Sequence, residues 1–222
     1  MQLKYPLDKT TKTLIANEAR DEMKRSILDI VWGAYTYYST YFDNDARFYT
    51  ALVSGTLVVD SNGLVMTTEA TTNAEAAGII YAPDGMLLKK DKETRCRIIT
   101  KIDTVSNTNF SMDVLGDGSS QNYIELAIES GVIKGGTDIN GTLTTVNLGS
   151  VADATFVTLE FRYLPERNKV NFYVDGILKG TKETGLPDKT TDVEVLMDTG
   201  VGTLDDVAKE SITNFFEIIQ EK

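Results

Sequence analysis

Carboxylates are the side chains of this sequence that could do acid–base chemistry, because the chain of 222 residues contains no histidine. Without an imidazole, a Ser–His–Asp device and a histidine-ligated metal are excluded. Hydrolysis of a glycosidic bond by two carboxyl groups needs those groups about 5 to 9.5 Å apart. Alternate residues of a strand share a face at a spacing of about 7 Å, so Glu-x-Glu or Glu-x-Asp is the pattern to seek.

No predicted strand carries that pattern. Glu125 and Glu129 stand four residues apart, as do Glu194 and Asp198, and four residues extend about 13 Å along a strand. Both pairs are too widely spaced for two-carboxylate hydrolysis, and only a pair formed across neighbouring strands is left open. We therefore expect a protein that is not an enzyme and that uses no cofactor.

Cys96 is the single cysteine, so the chain cannot form an internal disulfide. It lies between Arg95 and Arg97 on a predicted strand. Free cysteine is commonly a small buried residue, and a cysteine nucleophile would need a base that the sequence does not offer. We expect Cys96 to belong to the core.

One predicted turn offers oxygen ligands for calcium. Asp113, Asp117 and Asn122 cluster around Gly116 and Gly118, and oxygen-rich turns of this kind can hold Ca²⁺. The same residue types are common in turns that bind nothing. The turn is a weak calcium candidate, and no other metal site is expected.

Residues 32–49 are rich in aromatic side chains. An aromatic ring can stack on the C–H face of a sugar, and aromatic residues are also enriched at protein interfaces. Interface formation or internal packing is the first interpretation, and sugar binding is the alternative. The candidate sugar contacts are Trp32, Tyr35, Tyr38 and Tyr41.

The acidic balance of the chain argues against two classes of partner. Asp and Glu outnumber Lys and Arg by 33 to 22, which gives a formal net charge of −11. Such a chain repels a phosphate backbone, so no nucleic-acid partner is expected. No run approaches about 18 apolar residues, so no membrane partner is expected, and the polar start of the sequence does not resemble a secretion signal.

The elements that must position any site centre on residues 156–180, FVTLEFRYLPERNKVNFYVDGILKG. Apolar and polar residues alternate in two runs, which predicts two strands that each bury one face. Asp175-Gly176 predicts a type I′ hairpin turn, because that turn needs positive φ at both central residues. These signals together predict a three-stranded antiparallel meander.

This meander resembles the concanavalin A-like lectin and glucanase jelly rolls, a superfamily that includes laminin-G modules. The strand that closes in FYVDG carries the resemblance, and NYIELAI and SITNFFEIIQ fit further strands of the same fold. The resemblance implies a lectin-like jelly roll from about Phe48 to the C-terminus. It implies little about function, since one scaffold hosts many activities.

The rest of the chain is consistent with an all-β protein. Short strand patterns separated by turn residues recur from Thr50 onward, about thirteen strands in all. Strands do not alternate with long helices, which argues against a parallel α/β sheet. The predicted fold is an antiparallel jelly-roll β-sandwich, with residues 200–210 as a loop.

The first residues carry a second resemblance. YPLDKTTKTLIANE, residues 5–18, is similar to the openings of structural proteins of tailed-bacteriophage virions, with Thr11 where that pattern has Gly. The resemblance implies a virion protein assembled in the host cytoplasm. A head decoration or fibre-base protein is the first expectation, and a tail or baseplate component is the second.

Residues 14–34 predict one amphipathic helix, since apolar residues recur at three- and four-residue spacing. Its apolar stripe can pack on the sandwich of its own chain or bind a neighbouring subunit. We expect an arm and helix over residues 1–45 and the sandwich over residues 46–222. The expected arm and partner contacts are Tyr5, Pro6, Leu7, Ile15, Met23, Ile27, Ile30 and Val31.

Three functions are consistent with these features. The first is a non-enzymatic virion structural protein, anchored by its arm to other virion proteins or capsid subunits, with self-association into an oligomer as a further option. The second is a lectin-like carbohydrate-binding module for host attachment, which takes glycans as partners. The third is a glycoside hydrolase.

Overall fold

A computed structural model describes residues 35–40, 49–51, 55–60, 62–81, 89–116, 122–188, 193 and 195–221. These residues form two antiparallel β-sheets, joined by turns and one short 3-10 turn at Pro165–Arg167. The predicted all-β jelly-roll sandwich is confirmed. No helix among the described residues is long and apolar enough to cross a membrane.

The first sheet contains eight strands. They are β1 (Tyr35–Thr40), β3 (Thr56–Asp60), β4 (Gly63–Thr67), β6 (Thr94–Ile102), β11 (Val157–Leu164), β12 (Lys169–Val174), β13 (Ile177–Lys182) and β15 (Glu210–Glu221). Their order is β13-β12-β11-β6-β15-β4-β3. The start of β15 pairs with β4 and its end pairs with β1, so one long strand organises this side of the sheet.

The second sheet contains seven strands. They are β2 (Tyr49–Ala51), β5 (Glu75–Tyr81), β7 (Thr108–Gly116), β8 (Ile124–Glu129), β9 (Val132–Ile139), β10 (Thr142–Ser150) and β14 (Val195–Thr203). Their order is β10-β9-β8-β7-β14-β5-β2. β14 comes late in the chain and lies between two much earlier strands, β7 and β5.

The core lies between the two sheets and follows the alternation of the sequence. β6 alternates buried and more exposed residues along its whole length, and Cys96 is buried there as predicted. Burial raises the pKa of the Cys96 thiol, which keeps it protonated and unreactive. The largest core side chains include Phe110, Phe161, Tyr163, Phe172 and Phe216.

The predicted meander is present as β11, β12 and β13, and its turns have the expected backbone. Asp175 and Gly176 both have positive φ, at 50° and 77°. Asp175 also fixes the turn from its side chain, because its Oδ1 accepts a hydrogen bond from the Thr158 backbone N–H at 2.9 Å. Asn168 takes the left-handed conformation that ends the preceding 3-10 turn.

We expect Gly176→Ala to lower the free energy of unfolding by about 1 kcal/mol, because a Cβ at positive φ is strained. A Cβ at this position would meet no atom within 4 Å, so the loss would be conformational alone. Gly176→Asn is the matched control, since asparagine tolerates the left-handed region better. Urea denaturation measures both; an equal loss in the two variants would contradict the explanation.

Three strand boundaries differ from the sequence expectations. The pattern over residues 51–59 predicts a single strand, whereas the structure has two strands there, β2 and β3, in different sheets. The loop expected from Gly200 is wrong at its start, because β14 continues to Thr203 and pairs on both sides there. Residues 35–40 fell in the range expected for the arm, yet they form β1 of the eight-stranded sheet. The proposed division near residue 45 otherwise stays a prediction.

Candidate functional site

Three carboxyl groups stand side by side on the outer face of the seven-stranded sheet. Asp198 of β14 is directly opposite Asp113 of β7, and Asp113 is directly opposite Glu125 of β8. Directly opposed residues of antiparallel strands place their Cβ atoms about 4.5–5.5 Å apart on one face. We call Asp113, Glu125 and Asp198 the acid row.

The acid row is only partly accessible, and two of its oxygens have no partner. Glu125 is 7% exposed, and its Oε2 is buried without a hydrogen bond among the described residues. Asp113 Oδ1 is buried and unpartnered in the same way. Buried polar atoms are nearly always hydrogen-bonded in folded proteins. Two such exceptions on neighbouring strands make this face a candidate site.

Burial and mutual repulsion shift the protonation of the acid row upward. Burial, followed by the charges of Glu125, Asp198 and Asp138, raises the pKa of Asp113 to about 8. Burial also raises the pKa of Glu125 to about 7, and it raises the pKa of Asp198. Asp113 and Glu125 therefore retain protons near neutral pH and can both donate and accept hydrogen bonds.

Tyr123 lies at the entrance to β8 and belongs to the same electrostatic environment. Burial, followed by the charges of Asp113 and Glu125, raises the pKa of its hydroxyl above the usual range. Tyr123 consequently stays neutral, as a phenol that can donate a hydrogen bond. Its backbone carbonyl accepts the Asp138 N–H at 3.0 Å, which fixes the start of β8 against β9.

Small residues surround the acid row on the same face of the sheet. Gly136 of β9 is opposite Glu125, and a Cβ there would lie 2.8 Å from Glu125 Oε2. Ala127 lies two residues along β8 and is almost fully buried. Gly200 follows Asp198 on the same face, and a Cβ there would lie 3.0 Å from Glu75 Oε1. Larger side chains at these positions would displace the carboxyl groups.

A cleft of about 230 Å³ continues this face beyond the acid row. Ser111 and Gly200 line it, and each lies two residues from a member of the acid row on the same strand face. Its other lining residues are Asn73, Ala74, Glu75, Asn109, Gly202, Thr203 and Leu204. Amide, hydroxyl and backbone groups at such positions are suited to hydrogen-bonding a polar ligand.

Positive charge is scarce on this face. Lys134 of β9 is the only lysine or arginine at the described outward positions of these strands, as their registers place them. Its Nζ forms an ion pair with Glu129. The nearby Asp138 has a structural role, since its Oδ1 accepts hydrogen bonds from the backbone N–H groups of Asn122 and Gly141. Neither residue neutralises the acid row by direct contact.

The calcium candidate is brought together only in part. Asp113 is a member of the acid row, whereas Asn122 ties a turn together, accepting the Asn140 N–H at its Oδ1. Asp117 lies outside the described residues. Within the described part of the chain, no group of three acidic or cysteine side chains is arranged to hold a metal ion. The calcium site stays a prediction.

The other candidate residues lie mostly outside the described part of the chain. Tyr5, Pro6, Leu7, Ile15, Met23, Ile27, Ile30 and Val31, with Trp32 and Tyr41, are in ranges that the structure does not describe. Tyr35 and Tyr38 are in β1, where their backbones pair with Glu221 and Ile218 of β15. The arm contacts and the aromatic sugar site therefore stay predictions.

The sequence contains the right acids, but their spacing indicates the wrong partners. Along single strands, Glu125 is compared with Glu129 and Asp198 with Glu194. In the structure, Asp113 lies between Glu125 and Asp198 on three neighbouring strands. One signal was present in the sequence. Each of these acids occupies an outward position beside buried apolar residues, as Asp113 does between Met112 and Val114.

Comparisons with solved structures support the same fold. The chain is similar to SCLam, a non-specific endo-beta-1,3(4)-glucanase from family GH16, with 12% identity, a TM-score of 0.61, and coverage of 85% of this chain and 92% of that one. It is similar to the Emp47p carbohydrate recognition domain, with 9% identity, a TM-score of 0.60, and coverage of 86% and 99%. It is similar to arcelin-5, a lectin-like defense protein from Phaseolus vulgaris, with 9% identity, a TM-score of 0.56, and coverage of 85% and 99%.

These likenesses establish a concanavalin A-like jelly roll of the kind found in lectin-like and glycoside-hydrolase proteins. At these identities they establish the fold alone. No protein-family model matches the chain, and the search of curated proteins found no match.

Proposed function

We propose that this protein binds carbohydrate through the outer face of its seven-stranded sheet, without catalysing a reaction. The observation that carries the proposal is the acid row, in which one buried oxygen each of Asp113 and Glu125 has no hydrogen-bond partner in the described part of the chain. Carboxyl groups that retain protons can bond sugar hydroxyl groups as donor and as acceptor. Three similar structures named for glucanase activity, carbohydrate recognition and likeness to lectins add support by analogy.

Binding without turnover is favoured by the way the pKa values move. Two-carboxylate hydrolysis uses one carboxyl held neutral as the acid and one held ionised as the nucleophile or base. In the acid row the pKa of every member is raised, to about 8 for Asp113 and about 7 for Glu125. Among the described residues no hydrogen-bond donor holds any of the three ionised, so the row lacks the division of roles that this chemistry requires.

The test is a glycan array with the full chain, followed by calorimetry on the best oligosaccharide. We expect saturable binding that Asp198→Asn and Asp113→Asn each weaken by at least about tenfold, since each removes an acceptor for a hydrogen bond. Glu166→Gln is the control, because Glu166 is exposed on the 3-10 turn, away from this sheet. Melting curves show whether each variant is folded.

Three results would contradict this proposal in different ways. If the protein binds no glycan, the proposal of carbohydrate binding is wrong. Loss of binding in Tyr38→Ala, with the acid-row variants unaffected, would move the site to the aromatic segment. Release of reducing sugar from a bound oligosaccharide, abolished in Asp113→Asn, would make the protein a glycoside hydrolase.

We also propose that this domain is displayed on a virion, as a head decoration or fibre-base protein. The observation that favours this role is the similarity of residues 5–18 to the openings of tailed-phage structural proteins. The predicted arm would bind other virion proteins or capsid subunits, and the acidic sandwich would face outward. Localisation in the virion and self-association belong to the same proposal.

Immunogold electron microscopy of purified particles, with antibodies to this chain, tests that location. We expect regular labelling of particles, and labelling should be lost when Ile27→Asp and Val31→Asp place charges in the predicted apolar stripe. A combined Glu18→Gln and Glu22→Gln variant, on the predicted polar face, is the control. Particles without label would contradict the proposal whatever the glycan array shows.

A further inference from the structure

The charge around the acid row discriminates between kinds of sugar. Glu75 adds a fourth carboxyl group near the three of the acid row. Burial, followed by the charge of Glu75, raises the pKa of Asp198. Lys134, the one cation on the described strand positions of this face, is paired with Glu129. A neutral hydroxyl does not offset the negative charge that appears when these carboxyl groups ionise, whereas a cation does.

We infer that the preferred ligand of the acid row is a glycan with free amino groups, such as an oligosaccharide of de-N-acetylated amino sugar. This inference rests on the proposed function of the same site. An ammonium group has three donors and a positive charge, and the carboxyl groups of Asp113 and Asp198 are directly opposed on neighbouring strands. Charge-assisted hydrogen bonds are about twice as strong as neutral ones.

The unpartnered oxygens give the inference a second, independent basis. Glu125 is more than nine-tenths buried, and its Oε2 lies over Gly136 and close to the Leu143 side chain, without a hydrogen bond among the described residues. Asp113 Oδ1 is unpartnered on the next strand. Acids that were only solvating the surface would have their oxygens in water. The two oxygens are buried, and neither accepts a hydrogen bond from a described residue.

The cleft beside the acid row can hold the uncharged parts of such a sugar. Asn73, Asn109 and Ser111 line it with amide and hydroxyl groups, and Gly202 leaves its floor open. An ammonium at Asp113 and Asp198 would therefore leave the ring hydroxyls facing polar side chains. An acetylated amine would bring a bulkier neutral amide against the carboxyl groups.

Binding of an ammonium group should also expel protons. The groups that face Asp113 are Glu125, Asp198, Asp138 and the Tyr123 hydroxyl, with Glu129 and Lys134 beyond Glu125 and Glu75 beyond Asp198. Burial and these mostly negative neighbours keep the row partly protonated near neutral pH. A bound cation lowers the pKa values of these carboxyl groups, because it favours their ionised forms. The carboxyl groups then release their protons.

The experiment compares a glucosamine tetramer with its N-acetylated counterpart and with a neutral β-glucan tetramer. Calorimetry at about pH 6 and about pH 7, in two buffers of different ionisation enthalpy, gives affinity and protons released. We expect the amine-bearing tetramer to bind at least about tenfold tighter than either of the others, as charge-assisted bonds imply. At about pH 6, where the amine already carries its proton, its binding should release protons. Asp113→Asn and Asp198→Asn should abolish the preference.

Glu166→Gln changes the formal net charge by the same amount as Asp113→Asn and should preserve the preference. If the neutral or acetylated tetramer binds as tightly, the proposed function survives and the inference on amines is overturned. If no tetramer binds, and a wider glycan array is also negative, the proposed function and the inference on amines are both overturned. If Glu166→Gln weakens amine binding as much as Asp113→Asn does, the attraction is general to an acidic protein, and the inference is overturned.

Discussion

Asp113→Asn should raise the free energy of unfolding at about pH 8 by about 2–3 kcal/mol and change it little near pH 4. The pKa of Asp113 is about 8 in the folded protein against an ordinary value of 3.8. Each unit of difference corresponds to about 1.4 kcal/mol. We expect roughly half of that full difference, because the carboxyl retains some access to solvent and its surroundings relax when it ionises.

The sign follows from which state holds the proton. Between about pH 4 and pH 8 the folded protein retains a proton on Asp113 that the unfolded chain has released. Stability that depends on this proton is complete below the unfolded pKa and is lost as the pH rises through the folded one. Glu125 adds to the same trend up to about pH 7. Asparagine has no proton to lose, so the variant should be less sensitive to pH.

Urea denaturation of both proteins at intervals from about pH 4 to pH 8.5 measures this difference. Wild-type stability should fall across the interval, and the curve of Asp113→Asn should be flatter and lie above it at the alkaline end. Glu166→Gln should run parallel to wild type. Parallel curves for wild type and Asp113→Asn would show that Asp113 ionises in the folded protein as freely as in the unfolded chain.

A stabilising substitution that weakens binding would connect stability with function. Natural proteins keep destabilising groups where a ligand uses them. The acid row has this character, because carboxyl groups are partly buried side by side and two of their oxygens have no donor within the ranges that the structure describes. The ladder on the outer face of the other sheet contrasts with it, since Arg95 there bonds Glu160 at 2.8 Å and Arg97 lies 3.3 Å from Glu217.

Local signals predicted much of this fold because they depend on near neighbours in sequence. Cys96 lies on a strand as predicted, in β6, and Asp175-Gly176 forms the predicted turn. The sequence predicts a loop from Gly200, because Gly200 and Gly202 resemble loop residues, whereas β14 continues to Thr203. In the structure their small size fits a strand paired on both sides, where a Cβ on Gly200 would press on Glu75.

The acid row could not be predicted in the same way. Its members meet only because β14 lies beside β7, although Asp198 and Asp113 are far apart in sequence. Register between distant strands depends on the packing of both sheets, and a slip of one residue would turn each carboxyl toward the core. The sequence indicated which faces were polar, while the strand order determined which acids meet.

Packing between the two sheets should make Gly135 one of the least replaceable residues of the core. Gly135 of β9 faces Phe172 of β12, and a Cβ there would lie 2.5 Å from two atoms of the ring. Phe172 is fully buried, so its ring cannot move aside without disturbing the residues behind it. We expect Gly135→Ala to lower the free energy of unfolding by about 3 kcal/mol.

Thermal and urea denaturation of Gly135→Ala measure the loss, which should lower the melting temperature by about 6–12 °C in a domain of this size. Gly202→Ala is the matched control, because it changes a strand glycine of the same sheet whose Cβ would meet its nearest atoms at 3.7 and 3.8 Å. Phe172→Leu combined with Gly135→Ala should lose less than the sum of the two single variants, since the smaller side chain makes room for the methyl group. Additive losses in that double variant would show that the ring and the glycine do not interact, and would place the strain of Gly135→Ala elsewhere in the sandwich.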